Sequence, residues 1–244
     1  MVLLAHIRSQ FVLSYETYGS PRMHVELCED GVPVGRHRVA RLMRDNNLKA
    51  LQKRRYKQTT DSDHGGLVAP NLLDQDFSCD GPDQKWGVDN SYVWTREGWL
   101  YLAIVLDLYS RRIIGWETSD RLTKDLAITA LKRAIVTRQP PPGLIPHSDR
   151  GSQNCSYDIR RLLAANGMQS SMSGKGNCYD NSMVETVFKT IKSELVWRTS
   201  FQTLQQATNA LGRYIEGFYN PIRRNSALAY KSPTKFEAAM AETE

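Results

Sequence analysis

The sequence has few cysteines and no long apolar run. Its four cysteines, at positions 28, 79, 155 and 178, lie far apart and form no Cys-x-x-Cys pair. This spacing argues against a zinc site or a disulfide framework and favours reduced thiols in the cytoplasm. No stretch approaches the roughly 20 apolar residues of a membrane span, and the first residues lack the features of a signal peptide. Internal repeats and low-complexity tracts are also absent, so we expect an ordinary folded protein with no membrane segment.

Positive charge is concentrated in the first quarter of the chain. Residues 1–60 contain eleven Lys or Arg and five Asp or Glu, whereas the other 184 residues contain 21 of each. The whole net charge of +6 therefore lies in this first part. A polyanion such as nucleic acid is the natural partner of a region with this balance.

Composition divides the chain into four parts. Residues 1–57 are predicted to form short helices with basic faces, and the acidic, Gly- and Pro-containing residues 58–83 a linker. Residues 84–198 alternate between strand and helix patterns in the order β-β-β-α-β-α-β-α, and residues 199–244 are predicted to be a helical extension that completes this domain. The order predicts an α/β fold with a mixed five-stranded sheet flanked by helices.

Local signals predict several element boundaries. Thr95 to Gly98 has the composition of a hairpin turn, and the strand after it is apolar on both faces, as is typical of a central strand. Thr123 and Ser156 are suitable N-cap residues for two helices. A further helix is predicted over residues 203–219.

Three acidic residues stand where a mixed sheet can bring side chains together. Asp89 lies in the first predicted strand, Asp149 at the end of the fourth, and Glu185 in the first turns of the third helix of the α/β region. Such close carboxylates repel one another unless cations neutralise them. Oxygen ligands without Cys or His favour Mg²⁺ or Mn²⁺, and two such ions about 4 Å apart suit in-line phosphoryl transfer.

Each acid also has a simpler interpretation. Ser182-x-x-Glu185 matches a capping box at a helix start, and single aspartates at strand ends often occupy turns. Glu185, Lys189 and Lys192 follow an i, i+4, i+7 stripe on the helix. That stripe is either a solvated face with an ion pair or a metal ligand beside lysines that hold DNA phosphates. Spacing alone leaves both alternatives open.

Residues 22–50 have the pattern of a helix-turn-helix, with the turn at residues 31–35. The second helix is predicted to pack through Val39, Leu42 and Met43 and to present four arginines elsewhere: Arg36, Arg38, Arg41 and Arg44. A solvated basic helix is the alternative. The charge asymmetry and the following basic residues 53–55 favour DNA, through phosphate contacts more than base reading.

Longer segments around the three acids carry a family resemblance. They are KWGVDNSYVWTREGWLYLAIVLDLYSRRIIGW, HSDRGSQNCS and SMSGKGNCYDNSMVETVFKTIKSEL, followed downstream by YIEGFYNPIRRNSALAYKSPTKFE. These segments resemble the second-frame transposases of the IS3 insertion-sequence family and, more distantly, retroviral integrases. The likeness runs in collinear order from about Tyr18 to Glu237.

The resemblance implies a ribonuclease-H-like fold with a DDE triad. The triad is Asp89, Asp149 and Glu185, with the family's usual 35 residues between the last two. By the family's motif, Asp89 bridges two Mg²⁺ or Mn²⁺ ions and each of the other acids completes one site. The implied activity is metal-dependent DNA cleavage and strand transfer at insertion-sequence ends, with water or a DNA 3′-hydroxyl as the nucleophile.

The resemblance also implies partners and contacts. We assign DNA contacts to Arg150, Lys175, Lys189 and Lys192 beside the four arginines above. His147, Ser148 and Gln153 flank the second acid and either position DNA or water or, for His147, serve the structure. The expected partners are the element's terminal inverted repeats and target DNA, a second copy of the chain in at least a dimer, and an upstream-frame DNA-binding partner or fusion. The expected location is the bacterial cytoplasm, at the nucleoid.

The sequence departs from the family's pattern at four places. VDNSY stands where relatives more often read DITY, Gly174 replaces a frequent Arg, Asn225 a frequent His, and Ala229 a frequent Gly. A catalytically decayed or truncated copy that acts only as a DNA-binding protein is one alternative, against which the intact triad argues. A ribonuclease-H-type nuclease of RNA–DNA hybrids is another, against which the closing motif and the basic region argue.

Overall fold

A computed structural model describes residues 2–50, 69–151, 156–174 and 178–242. The chain begins with three helices, α1 (Val2–Leu13), α2 (Ser20–Glu29) and α3 (Arg36–Asp45). Val39 and Met43 of α3 are buried, and Leu42 packs at the edge of the same cluster, as the sequence predicts. No helix within these described ranges is long and apolar enough to cross a membrane.

The predicted mixed five-stranded sheet is confirmed. Its strands are β1 (Lys85–Thr95), β2 (Gly98–Asp107), β3 (Ile113–Ser119), β4 (Ile145–Ser148) and β5 (Ser171–Met172). Their spatial order is β3-β2-β1-β4-β5. The first three strands form an antiparallel meander, whereas β4 and β5 run parallel to β1. The sheet is therefore antiparallel at one side and parallel at the other.

The β1–β2 hairpin closes where the sequence predicts it. Thr95 Oγ1 donates a hydrogen bond of 2.8 Å to the carbonyl of Gly98, and Gly98 has a φ of +129°, which favours glycine. β2 is buried on both faces from Leu100 except at Tyr101, which confirms it as a central strand. β5 contains two residues and is shorter than the alternating pattern MQSSMS predicts.

Among the described residues, the α/β region contains five α-helices: α4 (Lys124–Arg138), α5 (Tyr157–Ala165), α6 (Ser182–Glu194), α7 (Leu204–Tyr214) and α8 (Pro233–Ala241). α4 and α5 share one apolar cluster with the sheet, and α6 and α7 belong to another. α7 continues as a π-helical turn over residues 215–219, so the predicted helix changes its winding near its end. Ser156 caps α5 as predicted, whereas Thr123 occupies the N-cap of α4 without a side-chain bond.

The three N-terminal helices pack against the α6–α7 side of the molecule. Apolar residues of α1, α2 and α3 belong to the same cluster as α6, α7 and the sheet face beneath them. Arg224 adds ion pairs to Glu26 and Glu29 of α2, and its backbone N–H donates to the hydroxyl of Tyr18 at 2.7 Å. The basic helical region is therefore joined to the α/β region by both apolar and charged contacts.

Residues 69–83 contain no helix or strand but form hydrogen bonds to β5 and to the turn before α6. Leu72 N donates to Ser171 Oγ at 2.9 Å, Met172 N donates to the carbonyl of Pro70 at 3.2 Å, and Asn71 Nδ2 donates to Asp180 at 3.1 Å. This part of the predicted linker therefore runs along β5. Residues 58–68 lie outside the described residues, and the division at 57, 83 and 198 stays a prediction.

Candidate active site

Asp89 and Asp149 lie at adjacent positions of two neighbouring parallel strands, Asp89 within β1 and Asp149 directly after β4. In the β1–β4 pairing, Val88 is opposite Ser148, and each aspartate is the next residue along its strand. Neighbouring strands lie about 4.8 Å apart, so the two aspartates begin from adjacent backbone positions. The pairing thus brings together two acids that are 60 positions apart in the sequence.

Glu185 reaches this place because α6 lies directly on β1. Gly87 has no side chain, and a Cβ added there would lie 2.3 Å from Val184 Cγ2. Because Gly87 is two residues before Asp89 and Val184 is one before Glu185, this contact positions the start of α6 beside the acids. The glycine is therefore what allows the helix to approach.

The three carboxylates interact electrostatically. Burial, then the charge of Asp149 and that of Glu185, raise the pKa of the half-buried Asp89 well above its usual range. The Asn90 N–H, which donates to Asp89 Oδ1 at 2.7 Å, and Lys192 oppose this rise. Asp89 is thus the member that interacts with both other acids.

The donor set suits a hard divalent cation. All three groups are carboxylates, which Mg²⁺ and Mn²⁺ prefer, and like charges held this close favour a bound cation. In the described part of the chain, no three Asp, Glu, His or Cys side chains surround a single point closely enough to hold one ion. Asp89 is the carboxylate whose pKa is raised by the charges of both other acids, after the larger effect of burial.

The capping-box interpretation of Glu185 is wrong. Asn181, at the end of a 3₁₀ turn, is the N-cap of α6, so Ser182 is the first residue inside the helix. Asn181 makes no side-chain capping bond, and the hydroxyl of Thr186 donates to the Ser182 carbonyl at 2.8 Å. The carboxylate of Glu185 therefore does not close a capping box.

The two predicted lysines of α6 lie next to the acids. Lys189 Nζ is 3.8 Å from Glu185 Oε2, the long i, i+4 ion pair of the simpler interpretation. Lys192 Nζ lies 4.7 Å from the ring centroid of Tyr92. Burial lowers the pKa of Lys192, while Tyr92 and Asp89 oppose that shift. Both cations therefore lie beside the carboxylates, one exposed and one half-buried.

Arg150 binds the backbone next to β5 through its guanidinium. Its Nε donates to the carbonyl of Ser173 at 2.6 Å, and the Gly151 N–H donates to Asp149 Oδ1 at 3.0 Å. These bonds connect the segment after β4 to the end of β5. Gln153 and Lys175 lie outside the described residues, so their predicted roles stay predictions.

His147 holds strands together. Its ring is buried, and its two nitrogens are 2.8 Å from Ser171 Oγ and 3.1 Å from Ser173 Oγ. Burial lowers the pKa of His147 to about 4, although Asp180 and Asp149 oppose the shift. A neutral imidazole bridging β4 and the β5 region supports the structural interpretation. Ser148 is buried too, and its carbonyl accepts from Ser173 N at 3.0 Å.

Several residues that shape the site were missed by sequence reasoning. Gly87 admits α6, Ser171 and Ser173 hold His147, and the carboxylate of buried Asp180 accepts from Asn71 and from the Gly174 N–H at 2.8 Å. Two alternating serines, 24 and 26 residues after His147, were a weak signal in the sequence. Gly87, two residues before Asp89 in a strand, was a stronger signal, because a glycine inside a strand often marks close packing by a neighbouring element.

The four arginines of α3 are all exposed. Arg36, Arg38 and Arg41 project into solvent around the helix, and Arg44 forms an exposed ion pair with Asp45 at 3.4 Å. The buried face is formed by Val39 and Met43, so the cations and the apolar residues are on different sides. The predicted separation of exposed arginines from buried apolar residues on this helix is therefore present in the structure.

Comparisons with known proteins agree with the fold. Residues 80–178 and 185–240 match families described as integrase core domains, and residues 2–56 match an HTH-like domain. In the intasome structure of simian T-cell lymphotropic virus with PP2A regulatory subunit B56 gamma, one chain superposes with a TM-score of 0.53 at 14% identity. That superposition covers 88% of this chain and 70% of the other, and it shows the fold. The class is a DDE-type polynucleotidyl transferase with a ribonuclease-H-like core.

Two curated relatives define the family. The insertion element IS600 uncharacterized 31 kDa protein of Shigella sonnei is 45% identical, over 96% of this chain and 85% of its own length. Transposase InsF for insertion sequence IS3A of Escherichia coli K12 is 41% identical, over 95% and 80%. The chain belongs to the IS3 family of insertion-sequence transposases and functions in transposition and DNA integration. Its HTH-like domain and its integrase core domain are both of kinds that bind DNA. The alternative of a solely DNA-binding copy is not favoured.

Proposed function

We propose that Asp89, Asp149 and Glu185 are the catalytic and metal-binding residues of this transposase. The observation that carries the proposal is the pairing of β1 with β4, which sets Asp89 beside Asp149, with α6 packed on Gly87 to bring in Glu185. Burial and the charges of Asp149 and Glu185 raise the pKa of Asp89, and a bound divalent cation would offset this repulsion.

The proposed metal-binding roles follow the DDE motif of the family. Asp89 interacts with both partners, so it would hold two Mg²⁺ or Mn²⁺ ions, while Asp149 and Glu185 would each hold one. When bound, such ions stabilise the attacking and leaving oxygens of phosphoryl transfer and activate water or a 3′-hydroxyl. Lys189 and Lys192 would orient the DNA phosphates beside the carboxylates.

DNA is proposed to contact two regions of the chain. Near the acids, these are Lys189, Lys192, Lys175 and Arg150; on α3, they are Arg36, Arg38, Arg41 and Arg44. The substrates are the element's terminal inverted repeats and the target DNA. Because two ends must be joined, we infer at least a dimer on DNA, with an upstream-frame DNA-binding partner or fusion, in the bacterial cytoplasm at the nucleoid.

Manganese titration followed by electron paramagnetic resonance tests the metal assignment. With DNA present, wild type is expected to bind two equivalents, Asp149→Asn and Glu185→Gln one each, and Asp89→Asn none tightly. Asp120→Asn, an exposed carboxylate at the end of β3, is the control and should match wild type. Unchanged stoichiometry in all three triad variants would contradict the proposal.

Salt-dependent DNA binding tests the role of α3. Each lost phosphate contact should reduce the slope of log affinity against log salt by about 1, so Arg38→Gln with Arg41→Gln should reduce it by about 2. Lys132→Gln on α4 removes a similar exposed cation elsewhere and is the control. Equal slopes for wild type and the α3 variant would exclude phosphate contacts by these two arginines.

A further inference from the structure

Three aromatic side chains form an exposed cluster at the β1–β2 hairpin. Trp94 and Trp99 face each other across the strands with ring centroids 4.8 Å apart at 70°, and Tyr92 meets Trp99 edge-on at 5.0 Å. Trp94 is 57% exposed and Trp99 46%. Trp94 and Trp99 therefore present large ring surfaces to solvent beside the half-buried Tyr92. These three residues are here termed the hairpin aromatic cluster.

The hairpin is already held by other contacts. Continuous pairing joins β1 and β2, and Thr95 closes the turn on Gly98. The tip is fixed as well, because the Arg96 N–H donates to the Phe201 carbonyl and Glu97 accepts from Leu204 N. A cross-strand aromatic pair contributes stability of its own, but that role does not require half of each indole to stay in water.

The cluster adjoins the proposed catalytic site around the edge of β1. Trp94 is five residues beyond Asp89 along this strand, a separation of about 17 Å, which equals the rise of about five stacked bases. Side chains alternate along the strand, so Trp94 lies on the sheet face opposite Asp89; in the described residues β4 pairs with β1 only as far as Val88, which leaves the edge between the two faces open. Lys192, whose ammonium lies over Tyr92, stands between the cluster and Asp89. Exposed Arg96 adds a cation at the tip, so the rings are flanked by positive charge on both sides.

We propose that the hairpin aromatic cluster binds unpaired DNA bases within a few nucleotides of the reacting phosphate. Exposed aromatic rings beside cations stack on single-stranded bases without sequence preference, whereas duplex bases already stack on their neighbours. The inference rests on the proposed function, because it assumes that a DNA strand end reaches Asp89. The cluster would hold a frayed or nicked end while the carboxylates act on it.

Binding of DNA that carries 2-aminopurine tests the proposal without catalysis. Full-length protein is titrated in EDTA with a duplex or with the same duplex bearing an unpaired end, and 2-aminopurine fluorescence reports stacking. Trp94→Ala and Trp99→Ala are expected to weaken binding of the unpaired end by about 5- to 100-fold and to abolish the quenching. Trp94→Phe should retain most of both, and Val136→Ala, an exposed apolar residue of α4, should change neither.

Each other outcome would overturn the inference. Unchanged binding, or an equal loss on paired and unpaired DNA, would exclude base stacking by these tryptophans. A change in the sedimentation of the free protein would instead identify the cluster as a contact between copies of the chain. Circular dichroism checks that each variant folds. Because no metal is present, a failure here is separate from a failure of the carboxylate assignment, which the manganese titration measures.

Discussion

Val184 of α6 lies so close to Gly87 of β1 that a Cβ on the glycine would stand 2.3 Å from Val184 Cγ2. This contact fixes the distance between the strand that bears Asp89 and the helix that bears Glu185. A second atom, Leu108 Cδ2, would be 3.1 Å from the same Cβ, so the space is closed from two sides. Packing at one small residue thus controls the geometry of the carboxylates.

Gly87→Ala should push α6 away from β1. Overpacking of this kind costs about 1–3 kcal/mol of unfolding free energy, and the displaced Glu185 should reduce strand transfer further than the lost stability explains. Urea unfolding and a strand-transfer assay at low temperature measure the two effects. Gly217→Ala is the matched control, because nothing lies within 4 Å of its added Cβ. Wild-type activity in Gly87→Ala would show that the close approach is dispensable.

Arg223→Ala should destabilise the protein strongly. The side chains of Arg223 and Glu194 are only 7% and 6% exposed. At the end of α6 they form an ion pair with two hydrogen bonds, of 2.7 and 2.8 Å. Removal of the arginine leaves the Glu194 carboxylate buried with the Tyr214 hydroxyl as a donor, at an expected cost of about 3–5 kcal/mol. Lys124→Ala, in the half-exposed pair with Asp158, should leave the melting temperature nearly unchanged. Similar melting temperatures for the two variants would contradict this reasoning.

Ala229→Gly should stabilise the protein. Ala229 has φ +49° and ψ 37°, in the left-handed region that costs a residue with a Cβ about 1–2 kcal/mol. The extra freedom of glycine in the unfolded chain offsets part of the gain, so we expect about 0.5–1 kcal/mol. Ala227→Gly, in the exposed 3₁₀ turn just before it, provides the control and should not stabilise. A loss of stability in Ala229→Gly would mean that the conformation is not strained.

His147 should titrate well below its ordinary range. Burial lowers its pKa from 6.5 to about 4, so the native state holds the neutral ring while the unfolded chain binds a proton near pH 6.5. Between pH 6.5 and 4 the unfolded state therefore binds more protons, and this histidine's contribution to stability is lost as the pH falls. Two-dimensional NMR of the ring nitrogens measures the pKa directly. A midpoint above pH 6 would argue for a solvated imidazole and against the serine bridge.

The order of elements and the acids could be predicted because their signals are local. β1 and β2 carry strand patterns around a hairpin turn, and the alternation of strand and helix patterns predicts a mixed sheet. Asp89 stands in one predicted strand and Asp149 at the end of another, but the structure is what shows that these two strands are neighbours. Glu185 needed the resemblance, since its tetrapeptide also matched a capping box.

What could not be predicted depends on contacts that are distant in sequence. Tyr18 and Arg224 are 206 residues apart but share a hydrogen bond. No periodicity in the sequence predicts that this arginine also pairs with acids of α2. β5 is short because two residues suffice to pair with β4, while the segment after residue 69 takes up its remaining bonds. The start of α6 moved by one residue because a 3₁₀ turn precedes it, and that shift decided against the capping box.

The most direct test of the central claim is a cleavage and strand-transfer assay on labelled DNA that carries the element's own ends. Wild type and Glu185→Gln are compared in Mg²⁺, Mn²⁺ and EDTA. Glu216→Gln is the control; this carboxylate lies on the π-helical turn and accepts a hydrogen bond from the Trp116 indole. We expect products from wild type and Glu216→Gln in either metal, and none from Glu185→Gln or in EDTA. Metal-dependent products from Glu185→Gln at the wild-type rate would contradict the assignment of this carboxylate to the site.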